Sequence, residues 1–349
     1  MKKLILLILF QACLASICSA QAPVILFTDL NSGPNSGGES VTGFSGAYVT
    51  LYGNYFGASQ GTSTVTLNGV DCLRVVSWGN SWLWYQTIVV QLGSTCSSGN
   101  FSVSVNGYLS SSPTITLNGT PVNPSAFAVR PGNIRCVSPS GADSSNGLWP
   151  NCQLTVPAAV HNSVLQPGDI IYVRGGVTAT TTDPVVSDTC NICLLEHGGT
   201  AGNPVALVGY PGENVILGSA TFAGDAIRVP NSPNIANYWT IANLHLQGNA
   251  ALGVDGGANS TTGWRVIGND MYCPNGTEGI SEDACFEADV TKGMVFYGNK
   301  VHDTSVNVAQ SKVSKLYHAV YWSTDSNGID VGWNEVGKSA ACRGIQFHS

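Results

Sequence analysis

Five carboxylates fall within a dozen residues of this chain: Glu278, Glu282, Asp283, Glu287 and Asp289. Bases follow them. Lys292, Lys300, Lys312, Lys315 and Lys338 are the only lysines beyond Lys3, and His302, His318 and His348 lie among them. Clustered oxygen donors suit a hard cation such as Ca²⁺. Such an ion bridges an acidic protein to an acidic sugar, neutralises a uronate and acidifies the proton beside its carboxylate. A lysine with a lowered pKa can then remove that proton, which is β-elimination. On this reading Lys315 is the catalytic base with His318 near it, and Glu282, Asp283, Glu287 and Asp289 are the metal candidates. The plainer reading of the acids is a solvated loop closed by Cys273 and Cys285, and that of any one lysine is solvated surface. Hydrolysis would instead use paired carboxylates, for which Asp325 and Asp330 are available. His302 and His318 lack a compact metal-ligand spacing and read as hydrogen-bonding the backbone at a bend.

These residues need a frame that sets distant stretches side by side, and a recurring phrase supplies it. Val266-Ile267-Gly268-Asn269-Asp270-Met271 returns as Phe296-Tyr297-Gly298-Asn299-Lys300-Val301 and as Val331-Gly332-Trp333-Asn334-Glu335-Val336. A weaker copy, Ile241-Ala242-Asn243-Leu244-His245-Leu246, precedes them with Leu244 where the others carry asparagine. Successive copies start 25, 30 and 35 residues apart. Each is a short strand phrase with a bend, too short to bury its own apolar face. Stacking coil on coil lets inward side chains share one core. An asparagine at each bend can then hydrogen-bond the backbone of its own coil and of its neighbour. The rival arrangement is an ordinary β-sandwich with coincidental Asn-bearing turns. In a solenoid, residues one coil apart become lateral neighbours about 4.8 Å apart, so acids on one coil and bases on the next line one groove. In Gly344-Ile345-Gln346-Phe347-His348 the alternation directs Gln346 and His348 outward. Tyr321 and Ser323, 25 residues upstream, fall beside them. Tyr321, Gln346 and His348 are therefore candidate substrate-binding residues, with wet surface as the alternative.

Composition agrees with an all-β chain. Of 349 residues only 10% are charged and 41 are glycine, and long amphipathic helices are hard to find. Met1-Lys2-Lys3, an apolar run from Leu4 to Phe10 and Cys18-Ser19-Ala20 read as a secretory signal peptide over residues 1–20. Ile17 before Cys18 disfavours a lipoprotein signal, and no later run is apolar for long enough to cross a bilayer. Without Lys2 and Lys3 the mature chain carries 12 of the 14 basic residues against 21 acidic ones, which excludes nucleic acid as a natural partner. Cysteines come as near neighbours: Cys72 with Cys96, Cys136 with Cys152, Cys190 with Cys193, Cys273 with Cys285. In an exported chain these read as local disulfides, whereas zinc would need a second close pair beside Cys190 and Cys193. Cys342 is left over, and the chain stops at Ser349 inside a fresh coil, as a fragment lacking further coils would. The protein is expected to be secreted and monomeric.

Residues 23–118 carry alternating strand patterns, among them Ala47 to Gly53, Thr87 to Gln91 and Phe101 to Val105, punctuated by Gly33-Pro34, Asn68-Gly69 and Asn106-Gly107. Residues 119–135, with Pro121, Pro124 and Pro131, read as an extended linker. Trp78, Trp82, Trp84 and Tyr85 suit either sandwich packing or stacking on sugar rings.

Gly37-Gly38, Gly53-Asn54-Tyr55-Phe56-Gly57, Val70-Asp71-Cys72 and Asn106-Gly107 in this order resemble the IPT/TIG immunoglobulin-like domain. That resemblance implies an accessory or spacer sandwich without catalytic residues. Cys136 to Asp143, then Gln166-Pro167-Gly168-Asp169-Ile170, then Pro204 to Gly212 and the Asn-bearing repeats resemble the right-handed parallel β-helix of the pectate-lyase-like superfamily. This second resemblance covers residues 136–349 and implies a fold that hosts lyases, hydrolases, epimerases and adhesins alike. The dense aspartate motif and arginine signature of calcium-dependent pectate lyases are absent, as are the Asn-Thr-Asp and Gly-Asp-Asp phrases of polygalacturonases. The expectation is an immunoglobulin-like sandwich followed by a right-handed parallel β-helix that recognises and cleaves an extracellular acidic polysaccharide by metal-assisted elimination. The alternative is a non-catalytic adhesive rod that binds glycans.

Overall fold

The computed structural model describes residues 21–117, 119–186, 188–230, 236–255, 260–277 and 283–348. The expected signal peptide therefore lies outside the described residues. From Ile134 to Phe347 the chain winds as a parallel β-helix whose coils contribute strands to three sheets. The first sheet has seven strands, Ile134–Val137, Ile170–Val173, Val205–Gly209, Trp239–Ala242, Arg265–Ile267, Val295–Tyr297 and Asp330–Gly332. The second has five, from Ile216–Gly218 through His245–Gln247, Asp270–Tyr272 and Lys300–His302 to Glu335–Gly337. The third has six, from Cys190–Cys193 through Asp225–Val229, Ala250–Asp255, Ala284–Asp289 and His318–Ser323 to Arg343–Phe347.

The repeated phrase is the corner between the first and second sheets. Ile241, Val266, Phe296 and Val331 stand in register, so the varying repeat length is absorbed in the loops rather than in the corner. At the bend, Asn243, Gly268, Gly298 and Trp333 all have positive φ, between 56° and 66°. Glycine is needed at two of them for a second reason: a Cβ at Gly268 would meet the Tyr52 hydroxyl, and one at Gly298 the Phe27 ring. The asparagines form a ladder through the interior. Asn299 Oδ1 accepts from the backbone N–H of Asn269 (3.0 Å), and its Nδ2 donates to the Val266 carbonyl (2.8 Å). Asn269 makes the same pair of bonds to Leu244 and Ile241, and Asn334 makes them to Asn299 and Phe296. Each amide thus reaches the coil before it. Leu244 ends the ladder because its side chain can neither donate nor accept.

Inward residues fill one continuous core containing Ile171, Leu207, Ile241, Val266 and Phe296, with Phe286, Phe296 and Trp322 in ring contact. At its start the core is covered by the short helix Val156–Val160, capped by the Thr155 hydroxyl. The Pro-Gly-Asp turn has a definite task there. Buried Asp169 pairs with Arg135 at 2.6 Å and accepts from Asn133 and Gln166, which locks the first strand to the second. All four expected disulfides are present, Cys72–Cys96, Cys136–Cys152, Cys190–Cys193 and Cys273–Cys285, and Cys342 is free and exposed.

The N-terminal sandwich departs from the expected half-buried pattern. In its antiparallel sheet, ordered Val24–Thr28, Phe44–Asn54, Tyr85–Gly93, Leu73–Trp82, the two central strands are buried on both faces. Val49, Leu51, Ile88 and Val90 face the companion sandwich sheet, while Tyr48, Thr50 and Tyr52 face the β-helix, as the period of two requires. Those side chains lie on the outward residues of the first sheet, and Ile170, Tyr172, Ala206, Val208, Ala242, Ile267 and Tyr297 join the sandwich core. The linker expectation for residues 119–135 is corrected as well. Ala126–Val129 is a strand of the companion sheet, paired with Ser32–Gly33 and Gly99–Val105, and Ile134 already begins the β-helix.

Replacing Asn299 by alanine leaves a buried N–H and a buried C=O without partners, at roughly 1–3 kcal/mol each. Urea unfolding of Asn299→Ala is expected to show a loss of about 2–4 kcal/mol, and a smaller one for half-buried Asn334→Ala.

Candidate functional site

Because the sandwich covers the first sheet, the second and third sheets present the open faces. On the third sheet one outward row runs Arg228, Gly253, Glu287, Tyr321, Gln346 across five coils. A parallel row sets Asp255, Asp289 and Ser323 side by side, and another sets Ala284, His318 and Arg343. Tyr321 stands beside Gln346 as the coil offset predicts. Its hydroxyl is 3.1 Å from His348 Nδ1, and the two rings stack 6.3 Å apart. His318 lies edge-on to Tyr321, ring centroids 5.0 Å apart, and is only 2% exposed. Its Nδ1 has no hydrogen-bond partner among the described residues. Burial and the charge of Arg343 hold its pKa below the ordinary 6.5, so the ring is neutral at pH 7. Arg343, exposed and hydrogen-bonded to Gln346, completes the group. Sequence reasoning missed it, although the offset of 25 that joined Tyr321 to Gln346 also joins His318 to Arg343.

The other expected residues are distributed differently. Lys315 is exposed in the loop before His318, with no hydrogen bond or ion pair to His318 or to the acids among the described residues. Glu282 lies outside the described residues. Glu287 is buried and accepts from the Asp283 backbone N–H at 2.6 Å, so it braces the loop entering its strand. Asp289 points the same way two residues on, where burial, then the charges of Asp255 and Asp325, raise its pKa. No three or more His, Cys, Asp or Glu side chains among the described residues gather to hold a metal ion. Of the expected ligand set, Asp283, Glu287 and Asp289 are described and Glu282 is not. The pairing of Asp325 with Asp330 is also corrected. Asp330 sits in the first sheet beside Val295, and Asp325 instead joins Asp289 and Asp255.

No family model and no curated protein matches the sequence. Among solved structures the chain is similar to a crystal structure of a pectate lyase, at 17% identity and a TM-score of 0.36, over 55% of this chain and 52% of that one. It is also similar to a rhamnogalacturonan lyase, at 19% identity and a TM-score of 0.27, over 62% and 50%. The chain spans about half the length of each.

The second sheet carries a network that the sequence did not reveal. His302 does not bond the backbone at a bend, as expected. Its Nε2 is 2.6 Å from Asp270 Oδ1 and its Nδ1 2.6 Å from Asp303 Oδ2. Asp270 Oδ2 is 3.5 Å from His245 Nδ1, and Gln247 Nε2 donates to His245 Nε2 at 2.9 Å. The bond to Asp270, then that to Asp303, raises the His302 pKa. Burial alone would raise Asp270, but His302, His245 and Lys300 outweigh it and hold the carboxyl below its usual range. Burial lowers His245, which stays neutral.

The sign of the stability effect follows. A raised folded-state histidine pKa contributes stability that is complete below about pH 6.5 and is lost as pH rises through the folded value. His302 therefore contributes a fall in the unfolding midpoint from slightly acid to slightly alkaline pH, against which the lowered His245 and His318 contribute a rise. His302→Gln should cost on the order of 1–2 kcal/mol at pH 6 and remove that fall, as measured by thermal melts across pH.

Proposed function

We propose that the outward face of the third sheet binds an acidic polysaccharide, and that the group around His318 cleaves it by β-elimination. The observation that carries this reading is a neutral, nearly buried imidazole, one ring nitrogen of which has no partner among the described residues, beside the Tyr321 ring and in register with Arg343. The Arg343 guanidinium would take the uronate carboxylate and favour charge on it as the adjacent proton leaves. His318 would receive that proton as general base, and Tyr321, hydrogen-bonded to His348, would supply a proton to the departing glycosidic oxygen. The exposed Arg343 side chain must swing to admit the sugar. Lys315, exposed, gives way to His318 as the base. Calcium enters the proposal as an ion that would bridge the acidic protein to the uronate.

Export fits the reading, since four local disulfides persist in an oxidising compartment. No helix among the described residues is long and apolar enough to cross a membrane. The sandwich would serve as an IPT/TIG-type accessory module. One observation favours a second reading. Asp289, with its raised pKa, beside Asp255 and Asp325 has the makings of an acid/base pair for glycoside hydrolysis.

The test offers polyuronates to the full chain and follows both the ultraviolet absorbance of unsaturated uronate and new reducing ends, with and without chelator. Elimination raises both signals, hydrolysis only the second, and a pure glycan binder neither. His318→Ala should lose about 10²–10⁴-fold in kcat/KM, while Lys315→Ala should be near wild type. Loss of activity in chelator would place calcium in the mechanism. Since a protonated base is inactive and the His318 pKa is lowered, activity should persist below pH 6.5 before it falls. Arg343→Ala, which removes a positive charge, should move that acid limb upward.

A further inference from the structure

A cleft of about 280 Å³ opens where the sandwich overlies the corner between the first and second sheets, well away from the third-sheet face. Its walls come from both halves of the molecule. Ser77, Asn80 and Ser81 descend from the sandwich strand Leu73–Trp82, and His245 and Asp270 rise from the second sheet. Two register shifts in that strand, between Val75 and Ser77 and between Trp78 and Asn80, re-aim its side chains. They send Trp78 into the sandwich core, bonded to the Phe56 carbonyl, and leave the serines and asparagine on the cleft. Trp82 is held against the wall by its Nε1 bond to the Gly298 carbonyl at 2.7 Å, so its half-buried ring is a fixed surface.

We propose that this cleft is a second carbohydrate site, one that takes a neutral sugar residue through its hydroxyls, with Asp270 as the anchor and the Trp82 ring as the apolar wall. The chemistry of the lining selects that class. An ionised carboxylate offers about four lone-pair directions, and the two histidines use two. Those left over suit a vicinal pair of hydroxyl donors. The Asp270 and His245 side chains keep 21% and 25% exposure, so a ligand reaches them. The hydroxyl and amide groups of Ser77, Ser81 and Asn80 can donate or accept in turn, as sugar hydroxyls do. The charged groups on the lining are two carboxylates, Glu213, paired with Arg174, and Asp270, and neither draws a uronate. The site is independent of the chemistry at His318. It would hold a neutral branch or chain end while the third sheet takes the acidic backbone.

The test titrates the full chain with short neutral oligosaccharides of gluco, xylo, manno and galacto configuration, read by calorimetry and tryptophan fluorescence. At least one should bind, and Asp270→Asn should weaken it by about tenfold or more. Asp270→Asn also disturbs the bond to His302, so Ser81→Trp, at an exposed position that fills the cleft from the sandwich side, provides a second arm and should abolish binding. Tyr321→Ala, on the third sheet, should leave it unchanged. The proposal is overturned if none of the panel binds at millimolar concentration, if binding survives Ser81→Trp, or if Tyr321→Ala removes it. Cleavage of polyuronates through His318 is scored separately, so either site can fail alone.

Discussion

The burial of one sheet from both sides is the constraint on which the rest of this molecule depends. The first sheet of the β-helix turns Ile171, Leu207, Ile241 and Val266 into the solenoid and Ile170, Tyr172, Ala206, Val208 and Ile267 out of it. Uncovered, the outward set would form an apolar patch of a kind that soluble proteins rarely show. The sandwich covers it, at a gain of roughly 1.5–3 kcal/mol for each large side chain fully buried. Many polar groups caught in the seam have partners there, although Arg265 Nε has none among the described residues. Asp29 accepts from the Leu30 and Thr50 backbone and from Asn243, which in turn receives the Tyr52 hydroxyl. Tyr172 exchanges two hydrogen bonds with the Tyr48 backbone, and Arg265 donates to the Thr28 carbonyl. The two halves consequently share one core.

This seam decides where chemistry can happen. With the first sheet closed, outward side chains of the second and third sheets are the ones that meet solvent, and the titratable clusters lie there. They differ in kind. On the second sheet, acids and bases alternate across coils and neutralise one another, which gives a rigid strip. On the third sheet, like charges gather at Asp255, Asp289 and Asp325, while a neutral imidazole sits apart beside an arginine. Unbalanced environments of the second kind shift pKa values apart, and that is what proton transfer requires. The seam also creates the cleft at its margin, since two rounded surfaces that meet along one sheet leave a gap at the corner.

Much of this was legible in the residues alone. The Gly-Asn phrase announced the solenoid because each coil must satisfy the same buried backbone groups with the same amide, so the requirement repeats in sequence. The four disulfides were legible because each closes a short local loop. The contact of Tyr321 with Gln346 followed from a coil offset and strand alternation. What escaped notice had two causes. Asp255 meets Asp289 through a coil whose length no repeat announces, whereas Asp270 meets His302 diagonally across the coil that the repeated phrase does announce, a contact that direct lateral pairing does not name.

The sequence by itself determined the periodic part of this protein: the stacked coils, their asparagine spine, their lateral neighbours and the local cross-links. All of these are contacts between residues separated by one coil or less, and a repeat encodes such contacts directly. Tertiary structure alone decided that the sandwich seals the first sheet, that residues 126–129 are a strand and not a tether, and that Asp29 meets Asn243 across 214 positions. The physical reason is that docking matches two whole surfaces. Each surface is legible only as alternating tyrosine, threonine and valine, and nothing in that pattern says which apolar face will lie against which.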